Sequence, residues 1–110
     1  MSTQDTGQDA TATVGDTLEW VVPRAVLAAG ILYSTRLWPR TTVQRRGNTV
    51  IVDTVTGRWL TIECGPGWAD VEAGYDDACG LRHVELGRAA SSDELAGIIA
   101  DWLYRLGVKA

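Results

Sequence analysis

The chain has 110 residues but no phenylalanine, a single histidine and only two cysteines. Cys64 and Cys79 are too few for a disulfide framework. His83, Asp76 and Asp77 are of metal-ligand type, but with these cysteines they lack the paired spacing of a structural zinc site. We therefore expect free thiols, no metal and no cofactor, with the fold held together by its apolar core.

Basic residues are also scarce, since the formal net charge is −4 and the sequence pI is about 4.8. A protein that binds nucleic-acid phosphates needs a basic surface. The one candidate for such a surface is the set Arg36, Arg40, Arg45 and Arg46. We expect no nucleic-acid partner, and we interpret the arginines near residue 45 as protection of an edge strand against aggregation.

Long apolar runs are absent as well. The longest, Val26 to Tyr33, is far shorter than the roughly 20 residues of a membrane span. The first 15 residues carry neither a basic segment nor an apolar segment of a secretion signal. These features predict a soluble cytoplasmic protein with no membrane partner.

The first part of the chain divides into a tail and a helix. Residues 1–15 are almost entirely polar or small, which predicts a disordered tail, followed by a single domain over residues 16–110. Asp16 and Glu19 have the spacing of a helix cap. Either the helix starts near Pro23, since proline is favoured in a first turn, or a short segment precedes it and breaks at Pro23. In both cases we place a helix from about Pro23 to Leu37, ended by Pro39.

From residue 40 the apolar period changes from helical to alternating. Turn residues at Gly47-Asn48, Thr56-Gly57 and Gly65-Pro66-Gly67, and a turn over Asp76–Gly80, divide this region into short antiparallel strands. The predicted strands are Thr41–Arg46, Thr49–Val55, Arg58–Cys64, Trp68–Tyr75 and Arg82–Gly87.

The last element has the signature of an amphipathic helix. Ser91 is in N-cap position with Glu94 three residues later, and Gly107 is placed to stop the helix. Its apolar stripe consists of Leu95, Ile98, Ile99, Trp102, Leu103 and Leu106. A helix, an antiparallel meander of about five strands and a closing helix packed on the sheet make an α+β fold.

Five tryptophans in so small a chain are the main pointer to function. Trp102 belongs to the core stripe, whereas Trp59 and Trp68 alternate with the aliphatic residues of their strands. If that sheet face is uncovered, the two indoles form one binding patch near the Gly65-Pro66-Gly67 turn. If the N-terminal helix or a curled sheet covers it, they belong to the core. The candidate binding residues are Trp59, Trp68, Arg58, Asp70, Glu72 and His83.

No arrangement of residues indicates catalysis. Cys79 and His83 could in principle form a nucleophile and base, but nothing around them resembles a known catalytic motif. Asp70 and Glu72 share a strand face, where charged residues ordinarily serve as a solvated surface. We therefore expect no catalytic residues.

The strand pair TVIVDTVTGRWLTIEC and the closing helix SSDELAGIIADWLYRL give the chain a layout that resembles the YbjN and type III secretion chaperone-like family. Small immunity proteins of bacterial toxin systems are similar in layout. In both groups the resemblance implies protein binding without chemistry, often as a dimer.

Two hypotheses follow. The first is a non-enzymatic, chaperone-like or immunity-like module that binds another protein or a second copy of itself. The alternative is a small-ligand-binding domain, or a small cyclase or isomerase, with an aromatic pocket between sheet and helix. In that case Asp70, Glu72 and His83 would be its polar groups.

Overall fold

The computed structural model describes residues 12–35, 40–54, 58–77 and 79–108. Its helices are α1 (Val14–Ser34) and α2 (Ser92–Arg105), and its strands are β1 (Thr41–Arg46), β2 (Thr49–Thr54), β3 (Arg58–Gly65), β4 (Trp68–Asp77) and β5 (Gly80–Ala89). The predictions for residues 1–11, for Arg36, Leu37 and Pro39, and for the Thr56-Gly57 turn lie outside the described residues.

The five strands form one antiparallel sheet in the order β1-β2-β3-β4-β5. The predicted α+β fold, with a meander between two helices, is confirmed. The turns follow the sequence signals, since Gly47 and Gly67 both adopt positive φ angles that favour glycine. Pro66 followed by Gly67 at φ 78° fits the residue preference of a type II turn.

Both helices pack on the same face of this sheet. α1 lies across β1, β2 and β3 and reaches β4, while α2 lies on β5 and against α1. The fully buried side chains come from both helices and from the central strands: Leu32, Leu60, Ile62, Leu95, Leu103, Val21, Val50, Val52 and Thr17. The opposite sheet face therefore carries the tryptophans and charges of β3, β4 and β5.

The start of α1 differs from the prediction. The helix begins at Val14, and Thr13 caps it in a reciprocal box with Asp16, in which each side chain accepts a hydrogen bond from the other residue's backbone N–H. The start near Pro23 is therefore wrong, and the predicted domain boundary at residue 16 falls inside the first turn. The polar composition of residues 1–15 predicted a tail that includes Thr13, but Thr13 is polar because its side chain caps the helix.

Pro23 lies in the interior of α1 without ending it. A proline there removes the hydrogen bond to the carbonyl four residues earlier, which belongs to Glu19. Glu19 and Pro23 are both exposed, so that carbonyl lies on the solvent side of the helix. On the inner side Val21 and Ala25 are fully buried, and their packing stabilises the helix on both sides of the proline.

α2 follows its sequence signals closely. The Ser91 hydroxyl accepts from the Glu94 N–H, as predicted, while the Glu94 carboxylate accepts from the N–H of Ala90. At the other end Gly107 has φ 80°, and Val108 N–H donates back to the Leu103 carbonyl. This hydrogen bond forms a Schellman closure of the helix. Leu103 and Val108 supply its apolar contact, since both side chains are buried.

β5 contains an irregularity that the sequence analysis did not anticipate. The register with β4 shifts between Val71 and Glu72, so that β5 carries one extra residue around Leu86 and Gly87. Gly87 adopts φ 137°, a backbone conformation that residues other than glycine rarely adopt. This β-bulge reverses the alternation, and consequently Arg88 faces away from the helices while Ala89 is buried in the core.

No helix in the described ranges is long and apolar enough to cross a lipid bilayer.

Candidate binding site

The sheet face away from the helices, here called the open face, collects most of the predicted site residues. Its central part is formed by alternate residues of three neighbouring strands: Trp59, Thr61 and Glu63 of β3, Trp68, Asp70 and Glu72 of β4, and His83, Glu85 and Arg88 of β5. A depression of about 520 Å³ lies among the polar residues of this set. Trp59 and Trp68 are both half-buried.

Each tryptophan ring lies over a glycine of the neighbouring strand. Trp59 pairs with Gly74, and Trp68 pairs with Gly65. A Cβ atom added to Gly65 would lie 2.0 Å from the Trp68 ring, and one added to Gly74 would lie 2.2 Å from the Trp59 ring. The indoles therefore fill the space above these glycines, an arrangement that restores apolar contact where the strand has no side chain.

Trp68 anchors the first of two polar groups on the open face. The Arg88 guanidinium lies 4.3 Å from the centre of the Trp68 ring, within cation–π distance. It also donates two hydrogen bonds to Asp70, from Nε at 2.6 Å and from a terminal nitrogen at 2.9 Å. These bonds, together with the positive charge of Arg88, hold the pKa of Asp70 below its ordinary value.

Trp59 anchors the second group at the opposite end of the same strands. The His83 ring meets the Trp59 ring edge to face, with centroids 6.1 Å apart. His83 Nδ1 lies 2.9 Å from a Glu72 carboxylate oxygen. Both ends of the open face thus repeat one pattern, in which a tryptophan contacts a basic side chain that is paired with a carboxylate.

Between the two groups, carboxylates face one another across the strands. Glu63 is directly opposite Asp70, and Glu72 is directly opposite Glu85. Like charges in such positions are destabilising. Arg88 compensates Asp70 and His83 contacts Glu72, but within the described part of the chain Glu63 and Glu85 have no ion-pair partner.

The structure separates some residues that the sequence analysis grouped together. Trp59 and Trp68 share a face as expected, but Gly65, the partner of Trp68, is six positions beyond Trp59 in β3. At about 3.4 Å per residue this is about 20 Å, so the expected single indole patch is wrong. Arg58 is on the opposite face from its neighbour Trp59, because successive strand residues alternate, and it lines a groove beside α2.

Three residues of the open face were missing from the predicted site. Glu63 and Glu85 lie in two of the predicted strands but were not among the candidate binding residues. Arg88 was not placed in a strand at all, since the predicted strand ended at Gly87. A glycine inside an alternating strand often marks a bulge, and this signal could have indicated that Arg88 returns to the face of Asp70.

The potential metal ligands do not converge. Among the described residues there is no group of three or more histidine, cysteine or acidic side chains placed to hold a metal ion. Both cysteines are free; Cys64 is buried and Cys79 exposed. Burial raises the pKa of the Cys64 thiol, opposed by the charge of Arg45 and reinforced by that of Glu63.

Comparison with known protein families, with curated proteins and with solved structures finds no match to this chain. The likeness to the YbjN and type III secretion chaperone-like family remains a prediction from layout.

Proposed function

We propose that this protein binds another protein without catalysing a reaction, and that the open face is its binding surface. The partner segment carries arginine or lysine side chains that enter the depression between the two tryptophan groups. The role is that of a chaperone-like or immunity-like adaptor. We place it in the cytoplasm, where its two free thiols would stay reduced.

The observation that carries this proposal is a pair of carboxylates, Glu63 and Glu85, that form no ion pair within the described residues. Each is opposite another carboxylate, which costs stability. The charge of Arg88 offsets part of this cost for Glu63, whereas Glu85 has no ion-pair partner among the described residues. Residues that break a local stability rule in this way are expected at functional sites. A basic partner would neutralise both positions at once.

The flanking tryptophans support the same interpretation. Tryptophan and arginine are enriched among the residues that dominate binding energy at protein interfaces. Trp59 and Trp68 are fixed by their glycine partners and keep part of each indole accessible. They therefore offer rigid apolar contacts at both ends of an acidic centre, and such pre-organised groups lose little entropy on binding.

The other interpretations fit the geometry less well. Asp70, Glu72 and His83 lie on the face away from both helices, which does not favour a cyclase or isomerase pocket between sheet and helix. Of the arginines considered for nucleic acid, Arg45 and Arg46 are successive strand residues and point to opposite faces. A second copy bound face to face through the open face would bring carboxylates against carboxylates.

The test compares matched baits. The wild-type protein, a Glu63→Gln/Glu85→Gln variant and a Glu19→Gln control are used to capture proteins from cells, and each protein lost only with the double variant is purified and titrated directly. Glu19 is an exposed residue of α1, away from the open face. We expect the double variant to bind at least ten times more weakly, with a smaller dependence on salt concentration, because rim charges act through screened electrostatics.

Trp59→Ala provides the apolar arm of the test. We expect it to weaken association by about 2 kcal/mol, as truncations of interface hot spots do. Because the indole covers Gly74, the variant should also lose some stability, and binding is therefore measured under conditions where circular dichroism shows it to be folded. A partner that binds both variants as tightly as wild type, or association only between copies of this chain, would overturn the proposal.

A further inference from the structure

A second concave site lies on the other side of the sheet. It is a groove of about 270 Å³ between the end of α2 and strands β4 and β5, here called the edge groove. Its apolar walls are formed by Ala73, Val84, Leu86, Trp102 and Leu106. The open face and the edge groove share none of their lining side chains.

The edge groove exists because α2 stops before the strands do. The helix ends at Arg105, and the chain turns away through Gly107, while β5 continues beyond the helix towards Gly80. Val84 remains 39 % exposed although it points to the helix-bearing side. Ala73, opposite Val84, is too small to fill the space, so Trp102 forms a wall of the groove although only 6 % of it is exposed.

The polar side chains around the edge groove can all donate hydrogen bonds. They are the guanidinium groups of Arg58 and Arg105, the hydroxyl of Tyr75 and the indole N–H of Trp102, and no carboxylate is among the described residues that line the groove. Among the described residues, neither the Tyr75 hydroxyl nor the Trp102 N–H has a hydrogen-bond partner.

Arg105 keeps most of its binding capacity. One of its terminal nitrogens is 3.1 Å from an Asp101 oxygen, in an exposed pair one helical turn apart. A guanidinium has five N–H donors, so this contact leaves others free for a ligand. In a protein of net charge −4, two arginines line this groove, and none of the described residues that line it is acidic.

We propose that the edge groove binds a small amphipathic carboxylic acid, with its apolar body between Trp102 and Val84 and its carboxylate between Arg58 and Arg105. Pockets for drug-sized ligands run from about 300 to 1,000 Å³, so this groove suits a smaller molecule. The two arginines match a carboxylate, which guanidinium groups bind through parallel hydrogen bonds. This site is independent of the open face.

The experiment is a calorimetric titration of the full chain with octanoate, compared with octanol and octylamine. All three have the same apolar chain, so only the head group differs. We expect octanoate to bind with a negative heat-capacity change, which marks burial of apolar surface, and octanol and octylamine to bind at least ten times more weakly. An Arg58→Gln/Arg105→Gln variant should lose at least tenfold in octanoate affinity.

Three further variants make the result specific. Arg46→Gln removes an exposed arginine of β1 outside the groove and should leave octanoate binding unchanged. Val84→Gln places a polar group in the wall at a half-open position and should weaken octanoate without unfolding the protein, which circular dichroism checks. Equal affinity for octanol, unchanged affinity in the double arginine variant, or no octanoate binding below the millimolar range would each overturn the proposal. A Glu63→Gln/Glu85→Gln protein should bind octanoate normally, which separates this test from that of the proposed function.

Discussion

The hydroxyl of Thr17 donates a hydrogen bond to the backbone carbonyl of Gly65, 2.6 Å away, and so joins the first turn of α1 to the hairpin between β3 and β4. The same oxygen accepts from the N–H of Gly67 at 2.9 Å. Thr17 is the one polar residue among the described residues that is fully buried. The position of Thr17 explains why α1 begins well before Pro23. The hairpin at Gly65-Pro66-Gly67 takes its hydrogen-bond partner from the start of this helix.

Thr17→Val tests this joint directly. Valine keeps the shape of the side chain but leaves the Gly65 carbonyl and the Gly67 N–H without their partner. We expect a loss of about 1–3 kcal/mol in the free energy of unfolding measured with urea. Thr17→Ser keeps the hydroxyl and removes one methyl group, so it should cost less, about 0.8 kcal/mol. Equal losses in both variants would mean that the hydrogen bonds contribute nothing measurable.

The tryptophan–glycine pairs predict a strong coupling between neighbouring strands. In Gly65→Ala the new methyl group would overlap the Trp68 ring, and we expect a loss of about 1–3 kcal/mol, as for other overpacked sites. In a Trp68→Ala background the same substitution should cost much less, which a double-mutant cycle measures in urea unfolding. Gly97→Ala is the control: it has nothing within 4 Å and should stabilise α2 by up to about 1 kcal/mol.

Sequence patterns located the strands and α2 well because their signals are local. The alternation within β3, the turn at Gly65-Pro66-Gly67 and the cap at Ser91 each depend on residues close together in the chain. The start of α1 was misplaced because the proline signal at Pro23 was preferred to a local cap, the Thr13–Asp16 box. The burial of Thr17, which also fixes this first turn, depends on a hairpin almost 50 residues away.

The candidate site was predicted only in part, and each wrong prediction has a physical cause. Alternation correctly placed Trp59 and Trp68 on one face, yet only the register shows that they are far apart along the strands. Sequence neighbours in a strand do not share a face, so Arg58 was assigned to the wrong site. The face on which Arg88 lies depends on a one-residue bulge in β5, which alternation alone does not reveal.

The two thiols should react at very different rates. Cys79 is exposed, whereas Cys64 is 3 % exposed and burial raises the pKa of its thiol, so little thiolate is available to react. Titration of the native protein with a thiol reagent should modify one cysteine rapidly, and a second only after denaturant is added. In a Cys79→Ala variant the rapid phase should disappear. If it persists, Cys64 is accessible in solution.

Asp70 should titrate below the ordinary aspartate value of about 3.9. Because Arg88 lowers its pKa in the folded state, the ionised form favours folding, and this contribution is present above pH 4 and lost as the pH falls through the folded-state pKa. An NMR titration of the Asp70 carboxyl carbon should show the depressed midpoint, and Arg88→Gln should return it towards 3.9. Arg46→Gln, away from this pair, should leave the midpoint where it is. A normal midpoint in wild type would mean that the pair does not persist in solution.

Glu85→Gln is expected to stabilise the protein, an unusual result for removal of a charge. Glu85 lies opposite Glu72 and has no ion-pair partner in the described part of the chain, so the neutral amide relieves a repulsion between strands. By the magnitudes of cross-strand pairs, the gain should be about 0.2–1 kcal/mol in urea unfolding, and it should shrink at high salt as screening weakens the repulsion. Glu72→Gln is the matched variant: it removes the same repulsion but also weakens the contact with His83, so its gain should be smaller. A Glu85→Gln protein that is less stable than wild type at low salt would show that this carboxylate has a structural partner, and would remove the main argument that it is kept for binding.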